Sequence, residues 1–280
     1  MKKKFLAVLL MAVMALSLAA CGNSSDPEVG AESQETEEKE YISEDQISDM
    51  FTNPDNYKGK YVKLSGQVFN DPEIDGDQMA IQVYYDVENY EKDFVVYCPS
   101  DSGIKMDDYI EVDGKIDGSI TGENYFGTEL TFPLIKADTI SAKSYIDAVV
   151  PTISEITPEN AIVEQHDVSL KIDKIEFAET ETRIYMTETN NSSDNFDFYT
   201  YDMKIIQNGT QFEQNWDSST QYEADLPELS DSILPGASST GVVIFPALDS
   251  STSFQLYADG SSDNWDLEFE TFTFDIQPAQ

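Results

Sequence analysis

Histidine is nearly missing from this sequence: His166 is the only one in 280 residues. A Ser–His–Asp triad would have to use it, yet it stands at a strand entrance in "EQHDVSLKID", and no G-x-S-x-G accompanies it. The expectation is a surface histidine. Cysteine is scarce as well, with Cys21 and Cys98 alone. One histidine and two cysteines cannot furnish the ligands of a structural zinc site. No G-x-G-x-x-G or Walker sequence opens a helix, so a nucleotide cofactor has no cradle. No catalytic residue, metal or cofactor is assigned, and the chain reads as a non-enzyme. Basic charge is the third shortage, with 16 Lys and Arg against 54 Asp and Glu and a net charge of −38. The imbalance is spread along the chain: residues 46–148 carry 8 basic and 20 acidic side chains, residues 157–280 carry 4 and 24. Nucleic acid is thereby disfavoured, because its binding depends on Lys and Arg neutralising phosphates. Anionic lipid is disfavoured too, whereas solubility and cationic partners are favoured.

What is present begins with a leader. Lys2, Lys3 and Lys4 precede an apolar run from Phe5 to Leu18, then Ala19, Ala20 and Cys21. The run has signal-peptide length and is short for a membrane span, which needs about 20 apolar residues. "LAAC" at 18–21 resembles the lipobox of bacterial lipoproteins. The resemblance implies a signal peptide over 1–20, diacylglycerol on the Cys21 sulfur, and a location on the extracytoplasmic face of the cell membrane. Two acyl chains at ~0.8 kcal/mol per buried CH₂ hold a protein on a bilayer where one is marginal. Residues 21–44 then read as lipid anchor and acidic disordered tether, rich in Glu and Ser and poor in large apolar residues. A flexible coil of that length reaches roughly 25–30 Å. With Cys21 lipidated, Cys98 has no partner, and "DFVVYCPS" places it as a small buried hydrophobe.

The remainder predicts an all-β chain in two domains. "SEDQISDMFTNPDNYKGK" (43–60) offers a capping box, Ser43 with Gln46, and an apolar helical face of Ile47, Met50 and Phe51 that Pro54 and Gly59 end. Five strand-like runs follow, "KYVKLSGQVFN", "MAIQVYYDVE", "DFVVYCPS", "DYIEVDGKID" and "TELTFPLIKADTI". Gly66 and Gly114 inside strands suit a small, strongly coiled barrel. Residues 45–148 resemble the OB-fold domains of Gram-positive lipoproteins through "NPDNYKGKYVKLSGQV" and "MDDYIEVDGKIDG". The two prolines of "VVPTISEITPEN" mark 149–159 as a linker. In 160–280 short strand runs alternate with Gly, Asn, Asp, Ser and Pro clusters, the spacing of an antiparallel sandwich. Here Asn190, Asn191, Ser192, Pro235, Gly236, Gly241, Val243 and Phe245 resemble the DUF4352-type immunoglobulin-like domain of Gram-positive lipoproteins.

OB folds bind ligands on strands two and three and at two loops of the barrel mouth. The first of those loops holds Asp71, Glu73, Asp75 and Asp77, and the second Asp117, Glu123, Asn124 and Tyr125. Strands two and three add Tyr84, Tyr85, Phe94 and Tyr97. An acidic mouth beside an aromatic face suits a cation or a cationic peptide. Asp71–Asp77 alternates oxygen ligands like the start of a calcium loop, but position 12 from Asp71 is Gln82 where an EF-hand has Glu, and a solvated hairpin loop is the plainer reading. Trp216, in "QNWDSST", either marks an interface or covers one end of the sandwich. The expected function is a membrane-anchored, non-enzymatic binding or adaptor module of the cell envelope, with an envelope protein or cationic ligand as partner. The alternatives are a solute-capturing lipoprotein for a cation, and a carboxylate-based cell-wall hydrolase, for which no acid pair is singled out.

Overall fold

The computed structural model describes residues 38–123 and 129–278. The leader, Cys21, the tether up to residue 37, Asn124 and Tyr125 lie outside the described residues, as does the side chain of Glu123. Two compact units divide between Ala142 and Lys143.

In the first unit α1 (Glu44–Thr52) starts as its sequence demands, with Gln46 Oε1 accepting the Ser43 backbone N–H at 3.0 Å. That reciprocal bond satisfies one of the free donors at a helix start. Met50 is fully buried, and Ile47 and Phe51 pack beside it. Pro54 then opens a 3₁₀ turn to Tyr57. The strands are β1 (Tyr61–Val68), β2 (Glu73–Asp75), β3 (Gln78–Asp86), β4 (Glu91–Pro99), β5 (Tyr109–Glu123) and β6 (Glu129–Lys143). In β1 the even residues Val62, Leu64, Gly66 and Val68 are buried, as the period-2 pattern requires. The order β1-β5-β6-β4-β3 closes through a β1–β3 pairing, and β4 and β6 run parallel. This is a five-stranded ring of OB-like topology, preceded by a short helix. Gly66 and Gly114 sit where strands cross too closely for a side chain: a Cβ would lie 2.2 Å from the Tyr84 carbonyl oxygen and 2.4 Å from that of Lys136.

The second unit holds α2 (Tyr145–Val149), β7 (Ser154–Ile156), β8 (Ile162–Gln165), β9 (Val168–Phe177), β10 (Glu181–Asn190), β11 (Phe196–Phe198), β12 (Lys204–Gln207), β13 (Thr210–Glu213), α3 (Thr220–Glu223), β14 (Ser232–Ile233), β15 (Ala237–Pro246), β16 (Phe254–Ala258), β17 (Gly260–Ser262) and β18 (Phe272–Ile276). One layer is β15-β10-β9-β7, with β8 also on β9. Facing it are β14-β11-β17 and β13-β12-β16-β18. A single core joins them, Leu170, Ile172, Ile184, Met186 and Phe245 from the first layer and Phe196, Phe198, Leu256, Phe272 and Phe274 from the second. The architecture is an immunoglobulin-like sandwich. Residues 149–159, expected as a linker, depart from that reading. Residues 154–156 pair with β9, and Ile153 N–H donates to the Phe177 carbonyl at 2.7 Å. Pro151 and Pro158 flank this strand rather than preventing it, because β7 lies at the edge of its sheet, where proline is tolerated.

Turn chemistry explains several residues of the second unit. Asn190 is fully buried; its amide donates to the carbonyls of Asp194 and Ile233, both at 2.8 Å, and its oxygen accepts from the Ser192 N–H and hydroxyl. At Gly241 a Cβ would meet Leu229 N at 2.2 Å, so residues 228–229 lie directly on β15.

The only arginine of the chain, Arg183, is fully buried on β10. Its Nε donates to Glu176 (3.0 Å), Nη1 to Glu181 (2.7 Å) and the Val150 carbonyl (3.1 Å), and Nη2 to Thr152 (2.8 Å). Glu181 also accepts the hydroxyls of Ser218 and Thr220, each at 2.8 Å. This network staples the segment after α2 and the loop before α3 to the same sheet face.

Cys98 is buried and free, and burial pushes its thiol pKa up. The thiolate is the reactive form, so alkylation is suppressed both by access and by charge. In a Cys21→Ser chain, a thiol reagent such as DTNB is expected to label Cys98 only after denaturation; stoichiometric labelling of the folded chain would contradict this burial.

Candidate functional site

At the barrel mouth the acids stand on a small β-arm. β2 pairs with the start of β3, Glu73 opposite Ala80 and Asp75 opposite Gln78. Asp71, Glu73, Asp75 and Asp77 are all exposed, and so is Ile74 between them, at 66 %. Among the described residues no group of three His, Cys, Asp or Glu is arranged to hold a metal ion. The acids of this arm present negative charge on an exposed strand.

The expected aromatic face separates into parts. Phe94 is core, fully buried, and Tyr85 packs against Phe51 of α1 with centroids 5.2 Å apart. Their neighbours Tyr84 and Tyr97 are only partly covered. Tyr84 stacks on Phe69 at 3.9 Å and meets the edge of Tyr90 at 5.6 Å. Asp93, opposite Tyr84 across the strands, is half-buried there, which raises its carboxyl to about 6. His166 is exposed, with Nε2 3.0 Å from the Glu268 carbonyl oxygen and its ring edge-on to Phe269. No catalytic partner contacts it among the described residues.

A concave site exists instead on the second unit. A groove of about 460 Å³ lies along the free edge of β15, over Val242–Ile244. Two segments clip to that edge and form its walls. Val242 N–H donates to the Pro227 carbonyl at 2.9 Å, and Asn215 N–H donates to the Ile244 carbonyl at 2.8 Å. Pairing with a bare strand edge in this way keeps both walls in place. Tyr201 comes from the 3₁₀ turn Thr200–Asp202, which is held to the opposite wall by the Thr200 hydroxyl donating to Asp231 at 2.6 Å. Trp216, for which covering one end of the sandwich was one expectation, is 69 % exposed, and Tyr201 is 64 % exposed. Trp216 therefore stands on the groove's rim and does not pack against the core. Glu228 and Asp231 supply carboxylates, and Gln214, Asn215 and Gln221 supply amides. No lysine or arginine lines the groove.

Large aromatic rings held in water beside fixed polar groups are a costly arrangement for a structural surface and a common one for recognition. The sequence pointed to Trp216 and, among the other aromatics of the sandwich, Tyr201. Glu228 and Asp231 went unnoticed because the groove is built from four separated stretches with no shared period. No protein-family model matches the chain, and no curated protein does.

Proposed function

We propose that this chain is a lipid-anchored binding module of the bacterial cell envelope, held on the extracytoplasmic face through Cys21 and binding its partner with the second unit. The observation that carries the binding reading is the preformed groove with Trp216 and Tyr201 on its rim. Its volume lies in the range used for small ligands or for one or two side chains of a peptide. The membrane part of the reading is supported by the leader and the "LAAC" sequence. A kinship with OB-fold and DUF4352-type lipoprotein domains is consistent with the two β units, and its residue-level support is the turn and strand sequences named above.

Two measurements test the proposal. Expressed in a Gram-positive host with labelled palmitate, the chain should carry label and partition into detergent, and Cys21→Ser should abolish both. For binding, the lipid-free Cys21→Ser chain is melted in the presence of wall fragments, small sugars, polyamines and cationic peptides. A ligand at 100 times its Kd adds ~2.7 kcal/mol. A saturable rise in melting temperature for one class is expected; no shift with any class would remove the binding reading.

A further inference from the structure

The geometry points to an alkylammonium or guanidinium group as the ligand of the β15-edge groove, seated between Trp216 and the carboxylates of Glu228 and Asp231. This assignment rests on the binding role proposed above and specifies its chemistry. Three observations converge on it. Glu228 makes no hydrogen bond or ion pair among the described residues, and Asp231 uses one oxygen for Thr200, leaving the other for a ligand. Two aromatic faces stand exposed on the rim of the same groove. Rings of this kind attract organic cations through their quadrupole, most strongly tryptophan.

The third observation is the charge inventory of the sandwich. Residues 157–280 contain only four basic side chains against 24 acidic ones. All four are already engaged: Lys171 with Asp173, Lys174 with Glu176, Arg183 with Glu176 and Glu181, and Lys204 with Asp202. None of the four lines the groove. The sandwich therefore has no cation of its own to spare for these two carboxylates, and a cation from outside finds them open. An anionic or phosphate-bearing ligand is excluded by the same inventory, since nothing in the groove could neutralise it. The cation has two sources with one chemistry, a free polyamine or the lysine and arginine side chains of a peptide. A groove of about 460 Å³ has room for either.

The test uses the lipid-free Cys21→Ser chain with Trp265→Phe, which leaves Trp216 as the sole tryptophan. Spermidine and a short Arg/Lys peptide are titrated separately, with Trp216 fluorescence and calorimetry as readouts, and a neutral disaccharide serves as the uncharged probe. A saturable change with one or both cations is expected. Glu228→Gln with Asp231→Asn should weaken it about tenfold or more, and Trp216→Ala, followed by calorimetry, several-fold. The paired change Asp71→Asn with Asp75→Asn, on the barrel's arm, removes as much charge and should leave the affinity unchanged. Equal weakening by the groove and arm variants would show diffuse attraction to an acidic protein and overturn the assignment. Absence of any cation effect would overturn it as well. If the disaccharide or a wall fragment still stabilises the chain, the binding role survives without this ligand; if nothing does, both fall. A response to the peptide without spermidine, or the reverse, identifies the source.

Discussion

Arg183→Met is expected to lower the stability of the sandwich by about 3–5 kcal/mol, the range for removing one partner of a buried ion pair. The guanidinium is fully buried and bridges Glu176 and Glu181, themselves 8 % and 3 % exposed. Without it, the buried Glu181 loses its countercharge and Glu176 keeps only Lys174, while the carbonyl of Val150 and the hydroxyl of Thr152 lose their donor. Arg183→Lys should recover little, because one ammonium cannot span four acceptors that a planar fork reaches together. Arg183→Met combined with Glu181→Leu should recover more, since an apolar replacement of a whole buried pair is often neutral. Hydrogen exchange of β9 and β10 peptides measures the change in this unit alone. Protection reduced by less than tenfold would show that the network contributes little.

The second large effect is expected at Glu188. It is fully buried on β10, Oε1 has no hydrogen-bond partner, and Oε2 accepts only the Ser230 N–H at 3.3 Å. Burial pushes its carboxyl up to about 8, with the nearby charge of Asp231 adding to the rise. In the unfolded chain the same group titrates near the ordinary glutamate value. Between roughly pH 4.5 and 8 the folded chain therefore holds a proton that the unfolded chain has lost. Stability then falls as pH rises through that window, and levels off above the folded value. Glu188→Gln removes the titration while keeping the shape. It should flatten this part of the profile and make the chain more stable by up to about 5 kcal/mol at pH 8.5. Urea unfolding at pH 5, 7 and 8.5 checks the slope. A wild-type profile parallel to that of Glu188→Gln would place the carboxylate's charge in water instead.

These two residues show where sequence reasoning reached and where it stopped. The barrel strands were legible because each buries one face: Val62, Leu64 and Val68 alternate with polar residues, and no other structure fits that period. Gly66 and Gly114 were legible as coil-permitting positions, and the strand crossings show the backbone that excludes a side chain there. On β10 the pattern is broken twice: Glu188 takes a core-face position in line with Ile184 and Met186, and Arg183 is buried on the opposite face, where a period-2 reading leaves polar residues in water. Their burial depends on what covers the outer and inner faces, namely the segment after α2, the loop before α3 and the strap at 228–233. Those contacts are long-range, and nothing local announces them. A lone arginine within a few residues of two glutamates, in so acidic a chain, was the available hint. The groove was hidden for the same reason. Its acids are two among 54, and only the fold distinguishes Glu228 and Asp231 from the rest.

The strand order of the barrel has a consequence for how the chain acquires its shape. β6 is the last strand to leave the ribosome and the only one that joins β5 to β4, Val95 meeting Leu134 in the parallel pair. A meander could zip up one neighbour at a time, but here closure waits for the final strand. Most of the loop-closing entropy falls due before the contacts that repay it exist, which makes for slow folding. Until residues 129–143 dock, β4 and β5 each present a row of unpaired amides and carbonyls. The barrel thus passes through a stage as an open sheet, and a chain cut anywhere before residue 129 would stay there.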